Sequence, residues 1–166
     1  MPGARPNAED SDTRGVPEIE KIVVTHHTTS INGKSISYTA HTGTMVLRDE
    51  DGKPKASVFF IAYTKDGADP STRPLTFAFN GGPGSSSIWL HMGALGPRRV
   101  VLDDKGVAPA PPYHLEDNQN TWLDKTDLVF IDPVSTGYSR PANDESPNQF
   151  HGYTEDIASV GDFIRL

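Results

Sequence analysis

The sequence predicts an α/β fold in which antiparallel strands lead into a central sheet. Three observations carry that prediction. Residues 19–79 alternate short apolar or β-branched runs with clusters of Gly, Pro, Asn and Asp, the pattern of strands separated by turns. Two runs, 57–63 and 128–131, are almost continuously apolar, as strands buried on both faces are. The clearest helical spacing comes only at the end, where Ile157, Val160 and Ile164 recur on one face with Phe163 beside it.

Element by element, residues 1–17 read as a disordered leader, because they hold Pro2, Pro6 and Pro17 and almost no large apolar side chains. Residues 18–166 are expected to be the N-terminal portion of one domain. A strand is expected at 22–29. Asn32-Gly33 follows as a hairpin turn, since both residue types tolerate positive φ. Residues 35–47 read as one or two strands around Gly43, and 49–54 as a turn cluster. The apolar strand 57–63 leads through a polar loop at 65–74 to a second short apolar strand at 75–79. That strand is read as central, the end of an antiparallel meander, and it runs straight into Asn80-Gly81-Gly82-Pro83-Gly84.

Beyond the glycine loop, 86–95 is expected as a short helix, 100–102 as a small strand and 104–106 as a turn. Pro109, Pro111 and Pro112 mark an irregular stretch. Residues 127–132 form the last strand, of central type, and 133–147 a loop. The final helix spans 154–166, with Thr154 as N-cap and Glu155 and Asp156 favourable in its first turn. The chain stops inside that helix with no Gly, Pro or polar tail to close it. It is therefore expected to be the N-terminal part of a longer protein.

Composition narrows the function. A formal net charge of −7 argues against nucleic acid or an anionic membrane surface as partner, since both select basic faces. No run approaches the ~18 apolar residues of a transmembrane helix. Met1 to Glu20 carries no apolar segment of the signal-peptide kind. With no cysteine, disulfides, thiolate metal sites and a Cys nucleophile are excluded. No H-x-x-x-H or H-E-x-x-H occurs, and no phosphate-binding glycine motif, so neither a metal nor any other cofactor is expected. His26 and His27 are adjacent in a strand and point to opposite faces, which prevents them from sharing one metal. His91 is the only histidine near the glycine loop, and a packing or surface role is expected for it. Asp124, Asp127 and Asp132 flank a strand and are expected to end it and close turns.

The loop Asn80-Gly81-Gly82-Pro83-Gly84-Ser85-Ser86-Ser87 is the feature that carries chemistry. Glycines after a buried strand let the backbone approach a ligand and point amide N–H groups at a developing oxyanion. Together with Leu95-Gly96-Pro97, Trp122 and Pro133-Val134-Ser135-Thr136-Gly137-Tyr138-Ser139, this loop resembles the serine carboxypeptidases of the α/β-hydrolase fold, in matching order over roughly residues 35–166. The resemblance implies the N-terminal, incomplete part of an α/β-hydrolase, with antiparallel strands leading into a central mixed sheet. It implies that the Gly82 N–H is an oxyanion-hole donor. The Asn80 side chain and the Gly81 N–H would bind the C-terminal carboxylate of a peptide or protein substrate. Tyr138 and Ser139 would shape the site wall, and the compartment would be secreted or periplasmic.

Several positions depart from the family pattern. Ala94 stands where members often carry a Glu of the carboxylate-binding network. Ser85 replaces a Cys, the junction at Asp132-Pro133 is one residue shorter, and Ser135 stands where Gly is usual. These variants suggest a bacterial-type branch. No G-x-S-x-G nucleophile elbow occurs in the chain. The expectation is therefore a carboxypeptidase segment that is inactive alone and exposes strand edges meant for other elements. Two alternatives stand beside it: an acyltransferase or esterase on the same fold, and a non-catalytic β-rich binding module.

Overall fold

The computed structural model describes residues 20–80, 84–142 and 145–166; the leader expected at 1–17 lies outside the described residues. Strands β1 (Lys21–Ile31) and β2 (Lys34–Arg48) form an antiparallel hairpin in which Ile31 pairs with Lys34. Asn32 and Gly33 turn the chain with φ of 50° and 75°. A two-residue turn with positive φ at both positions matches the right-handed twist of the flanking strands. Strand β2 continues through Gly43 without a break. A Cβ there would lie 2.1 Å from the Lys21 carbonyl oxygen, so glycine at this position is what lets β1 approach. The turn into β3 (Pro54–Lys65) is closed by Asp49, whose Oδ1 accepts from the amides of Asp51 and Lys53.

The main sheet runs β1-β2-β3-β7-β4, with β7 at Asp127–Ile131 and β4 at Leu75–Ala78. Strand β7 is antiparallel to β3 and parallel to β4. This corrects the reading of 75–79 as the end of an antiparallel meander. Strand β4 does not pair with β3; it crosses over and lies at the sheet edge among the described residues. The physical reason is burial. All five residues of β7 are buried, whereas Leu75 of β4 is 53% exposed. Strand β7 therefore lies between β3 and β4.

A parallel pair needs a long crossover. Between β4 and β7 the chain forms α1 (Ile88–Leu90), a π-helical turn (His91–Leu95), β5 (Arg98–Val100), β6 (Leu115–Asp117) and a 3₁₀ turn (Trp122–Asp124). The small strand expected at 100–102 begins two residues earlier, at Arg98. Its antiparallel partner β6 was not anticipated. It is held by the ion pairs Arg98–Asp117 and Arg99–Glu116 and tied to β1 by the Ser30 amide, which donates to Asp117 Oδ2. A two-residue strand β8 (Arg140–Pro141) pairs with β3 within the expected 133–147 loop.

Side chains of β7 alternate between two cores. Val129 and Ile131 join Leu47, Val58 and Phe60 beneath the last helix, α2 (Tyr153–Arg165). Leu128 and Phe130 join Tyr38, Ala78 and Leu123 on the other face. Helix α2 is capped by Gly152 rather than Thr154, and it buries Ser159, Val160 and Phe163. Ile157 and Ile164, expected on the apolar face, are 56% and 43% exposed. Phe163 accounts for this. Its ring packs on Phe60 with centroids 5.7 Å apart, which turns the buried face toward Phe163 and leaves both isoleucines on the flank.

One ion pair fixes the start of β7. Arg73 Nε donates to Asp127 Oδ1 at 2.6 Å, with both side chains about a tenth exposed, and its Nη2 donates to the Leu123 carbonyl. The same Asp127 oxygen accepts from the Lys65 amide at the end of β3, and the Asp127 amide donates to the Pro74 carbonyl just before β4. Three strands therefore meet at Asp127. Arg73→Met would leave that carboxylate buried without its cation. We expect the unfolding free energy of the chain in urea to fall by about 3–5 kcal/mol; a loss below about 1 kcal/mol, the value of an exposed pair, would contradict this account.

Candidate active site

The parallel pair β4–β7 places two carboxyl ends side by side, the position where open α/β sheets bind ligands. Strand β4 delivers Asn80 and β7 delivers Asp132. Asn80 is half-buried, and its Nδ2 donates to Ser85 Oγ at 3.2 Å. Gly84 has φ of 118°, in the range that favours glycine. Gly81 and Gly82, to which carboxylate-binding and oxyanion roles were assigned from the resemblance, lie outside the described residues. Of the three expected site residues, the structure thus locates Asn80.

Asp132 is buried, and its Oδ1 accepts from both the amide (2.9 Å) and the hydroxyl (3.0 Å) of Ser87. On the other side, Ser139 Oγ donates to the Asp132 carbonyl at 2.6 Å and accepts from the Phe59 amide at 2.7 Å. The Tyr138 amide approaches Asp132 Oδ2 at 3.4 Å. A Cβ on Gly137 would stand 1.8 Å from Oδ2, and Gly137 also has φ of 47°. Only glycine meets both demands. Ser135, standing where the family usually has Gly, has φ of 71°, and its Oγ is buried without a hydrogen-bond partner among the described residues. The usual glycine is explained by that backbone conformation.

His91 takes the packing role expected of it, more deeply buried than the sequence indicated. It is 7% exposed, and its ring lies between Tyr63 and Phe130, 4.8 Å from the Phe130 centroid. Its Nε2 shares a hydrogen bond of 2.6 Å with the Tyr63 hydroxyl. Burial pushes the imidazole pKa down to about 4, against the opposing pull of Asp132. Burial raises the Tyr63 phenol well above its ordinary value, and the nearby Tyr38 adds to the rise. Both groups are neutral at pH 7. The π-helical turn that carries His91 closes with the Gly96 amide donating to the His91 carbonyl, and a Cβ at Gly96 would lie 2.3 Å from that oxygen. Such turns are rare and concentrate at functional sites.

Ser87, His91, Asp132 and Gly137 border a cavity of about 350 Å³, and Asn80 is not among its lining residues. Phe59, Ile61, Ile88, Met92 and Tyr138 supply apolar walls; Ser86, Ser87, His91 and Asp132 supply the polar part. A larger cavity of about 500 Å³ beside Arg48, Lys55, Asp162 and Arg165 shares no residue with it and lies away from the glycine loop. His26 and His27 are exposed and bonded to the hydroxyls of Thr39 and Thr25 respectively. Among the described residues, no group of three or more His, Cys, Asp or Glu could hold a metal ion, and no helix is long and apolar enough to cross a membrane.

Comparison with known proteins decides the family. The serine carboxypeptidase family model matches residues 32–161. This chain belongs to the serine carboxypeptidase family. It is 35% identical over 127 residues to the pheromone-processing carboxypeptidase KEX1 of Saccharomyces cerevisiae, covering 72% of this chain and 16% of the relative. It is 39% identical over 85 residues to serine carboxypeptidase-like 33 of Arabidopsis thaliana (50% and 16%). It is 33% identical over 90 residues to a carboxypeptidase Y homolog of Arthroderma benhamiae (54% and 17%). The chain thus spans about a sixth of the length of these curated relatives. They are fungal and plant proteins, and none of them supports the bacterial-type branch suggested by Ser85, the Asp132-Pro133 junction and Ser135.

Family membership supports the α/β-hydrolase expectation, and the mixed sheet agrees with it. Sequence reasoning treated Asp132 only as a strand end and missed its hold on Ser87. The available signal was its position: a carboxylate abutting a fully apolar strand must find donors or stay costly. The neutral state of His91 gives a checkable pH dependence. The folded pKa of about 4 lies below the ordinary value of 6.5, so the unfolded chain binds the proton more readily. The stabilisation is fully present above pH 6.5 and is lost as pH falls toward 4. Urea midpoints measured across this window should fall by the equivalent of about 3 kcal/mol, and His91→Gln should flatten that part of the profile.

Proposed function

We propose that this chain forms the glycine-loop wall of a serine-type carboxypeptidase acting on C-terminal peptide bonds through a Ser acyl-enzyme. The observation that carries the reading is the family match over residues 32–161 together with Asn80 at the carboxyl end of β4, beside the end of β7. In this reading the Asn80 side chain and the Gly81 N–H bind the substrate's free carboxylate, and the Gly82 N–H stabilises the oxyanion. An amide and a backbone N–H can satisfy a carboxylate without a formal positive charge. A preorganised oxyanion donor is worth about 3 kcal/mol in the transition state. The acyl-enzyme splits peptide cleavage into attack by a serine hydroxyl with loss of the C-terminal amino acid, then hydrolysis by water. No nucleophile elbow stands in this sequence, so the chain by itself contributes binding and oxyanion stabilisation but not the attacking serine. No cofactor enters the reaction.

Ala94 favours a second reading. It supplies no carboxyl group where the family often has Glu, and its carbonyl is engaged by Asn118 Nδ2 at 2.7 Å. A site with weaker demand for a terminal carboxylate suits an esterase or acyltransferase on the same scaffold.

Isotope-labelled chain titrated with N-acetyl-phenylalanine and, separately, with its amide distinguishes the readings. Under the carboxypeptidase reading, the Asn80 side-chain resonances shift with the acid and not with the amide, and Asn80→Ala abolishes the response. An equal response to both compounds supports the esterase or acyltransferase reading, and no response to either overturns carboxylate binding. The chain alone is expected to release no amino acid from N-blocked dipeptides; measured turnover would refute the absence of a nucleophile.

A further inference from the structure

We infer that Asp132 is a positioning residue for Asn80: by holding Ser87, its carboxylate sets where Asn80 presents its side-chain amide. The inference rests on the carboxylate-binding role proposed for Asn80.

Three observations support it. First, both donors of Ser87 converge on the single atom Asp132 Oδ1, at 2.9 and 3.0 Å. Asn80 in turn donates to Ser85 Oγ, so only Ser86 separates the anchored residue from the one that holds Asn80. Gly84, between Asn80 and Ser85, has φ of 118°. At that φ, Gly84 has no side chain of its own to hold it in place.

Second, the anchor is itself fixed from the sheet. The Asp132 amide donates to the Phe59 carbonyl of β3, and Ser139 Oγ bridges the Asp132 carbonyl and the Phe59 amide. Gly137 lies against Oδ2 so closely that a Cβ would meet it at 1.8 Å. The carboxylate has little room to swing. Third, among the described residues no ion pair involves Asp132, and the neighbouring His91 is neutral. A buried charge held only by neutral donors is an expensive way to close a turn. What it supplies is one acceptor shared by both Ser87 donors, at ordinary hydrogen-bond distances.

Oδ1 alone receives Ser87, so Asp132→Asn preserves the acceptor and Asp132→Ala removes it. In the full chain, Asp132→Ala should weaken N-acetyl-phenylalanine binding about tenfold or more, the loss expected when two buried donors lose their shared acceptor, while Asp132→Asn should stay within about threefold of the native chain. Binding unchanged in the Ala variant, or equally lost in both, overturns the inference. Should the Ala variant not fold, Ser87→Ala removes only the hydroxyl donor; it should weaken binding about threefold, and unchanged binding is again fatal. If the native chain binds no N-acetyl-phenylalanine, the carboxylate-binding role of Asn80 fails, and Asp132 is judged without ligand. Asp132→Ala should then speed hydrogen exchange at the Ser87 amide about tenfold or more and move the Asn80 side-chain resonances, with both restored in Asp132→Asn. Asn80 resonances that ignore Asp132→Ala overturn the inference.

Discussion

The double pairing of β7 is the constraint on which the molecule depends. Its five residues are bonded antiparallel to β3 on one side and parallel to β4 on the other. The antiparallel side makes it the continuation of the β1-β2-β3 sheet. The parallel side brings the end of β4, and hence Asn80, level with Asp132. Because β7 is buried on both faces, its side chains also divide the interior, Val129 and Ile131 toward α2 and Leu128 and Phe130 toward the crossover. The Arg73–Asp127 pair fixes one end of this strand and the Asp132 network the other. Slipping β7 by one residue would exchange the two cores and move both carboxylates off their donors.

Which parts of this were legible in the sequence follows from how local each signal is. The Asn32-Gly33 turn is decided by the φ preferences of two adjacent residues, and the structure has it where the sequence put it. The β7 run is legible because four apolar residues between two aspartates suit only a buried strand. The place of β4 was not legible. A short apolar strand does not reveal its neighbour, which is the strand that returns beside it some fifty residues later. Strand β6 was missed because Leu115-Glu116-Asp117 has no apolar run; it exists through cross-strand charges and the Ser30 amide. The exposed flank of α2 was set by Phe163 docking on Phe60, a tertiary contact that helical spacing does not contain.

The site shows the same division. The glycine loop stands out in the sequence because glycines after an apolar strand let the backbone approach a ligand, and Asn80 lies two residues past the end of β4. Asp132 carries no motif of its own; its role appears only when the loop after β4 and the loop after β7 are seen to meet on its side chain. His91 was legible as a packing residue, but not its burial against Tyr63 and Phe130, which depends on the π-helical turn closed by Gly96.

The charge arrangement has its own consequence. On the proposed reading the loop recognises an anion, yet its fixed neighbour Asp132 is an anion and His91 adds no positive charge at neutral pH. The two demands are compatible only if the donors spent on Asp132 differ from those offered to substrate. The structure divides them by position. The donors of Ser87 turn inward to Asp132, while Asn80 lies on the other side of Gly84 and gives one N–H to Ser85. Recognition of a carboxylate by Asn80 then rests on neutral dipoles held in place, and the charged group serves as their anchor. Replacing the anchor by a cation would add attraction but lose the acceptor that Ser87 needs, so more positive charge at this position need not mean tighter binding.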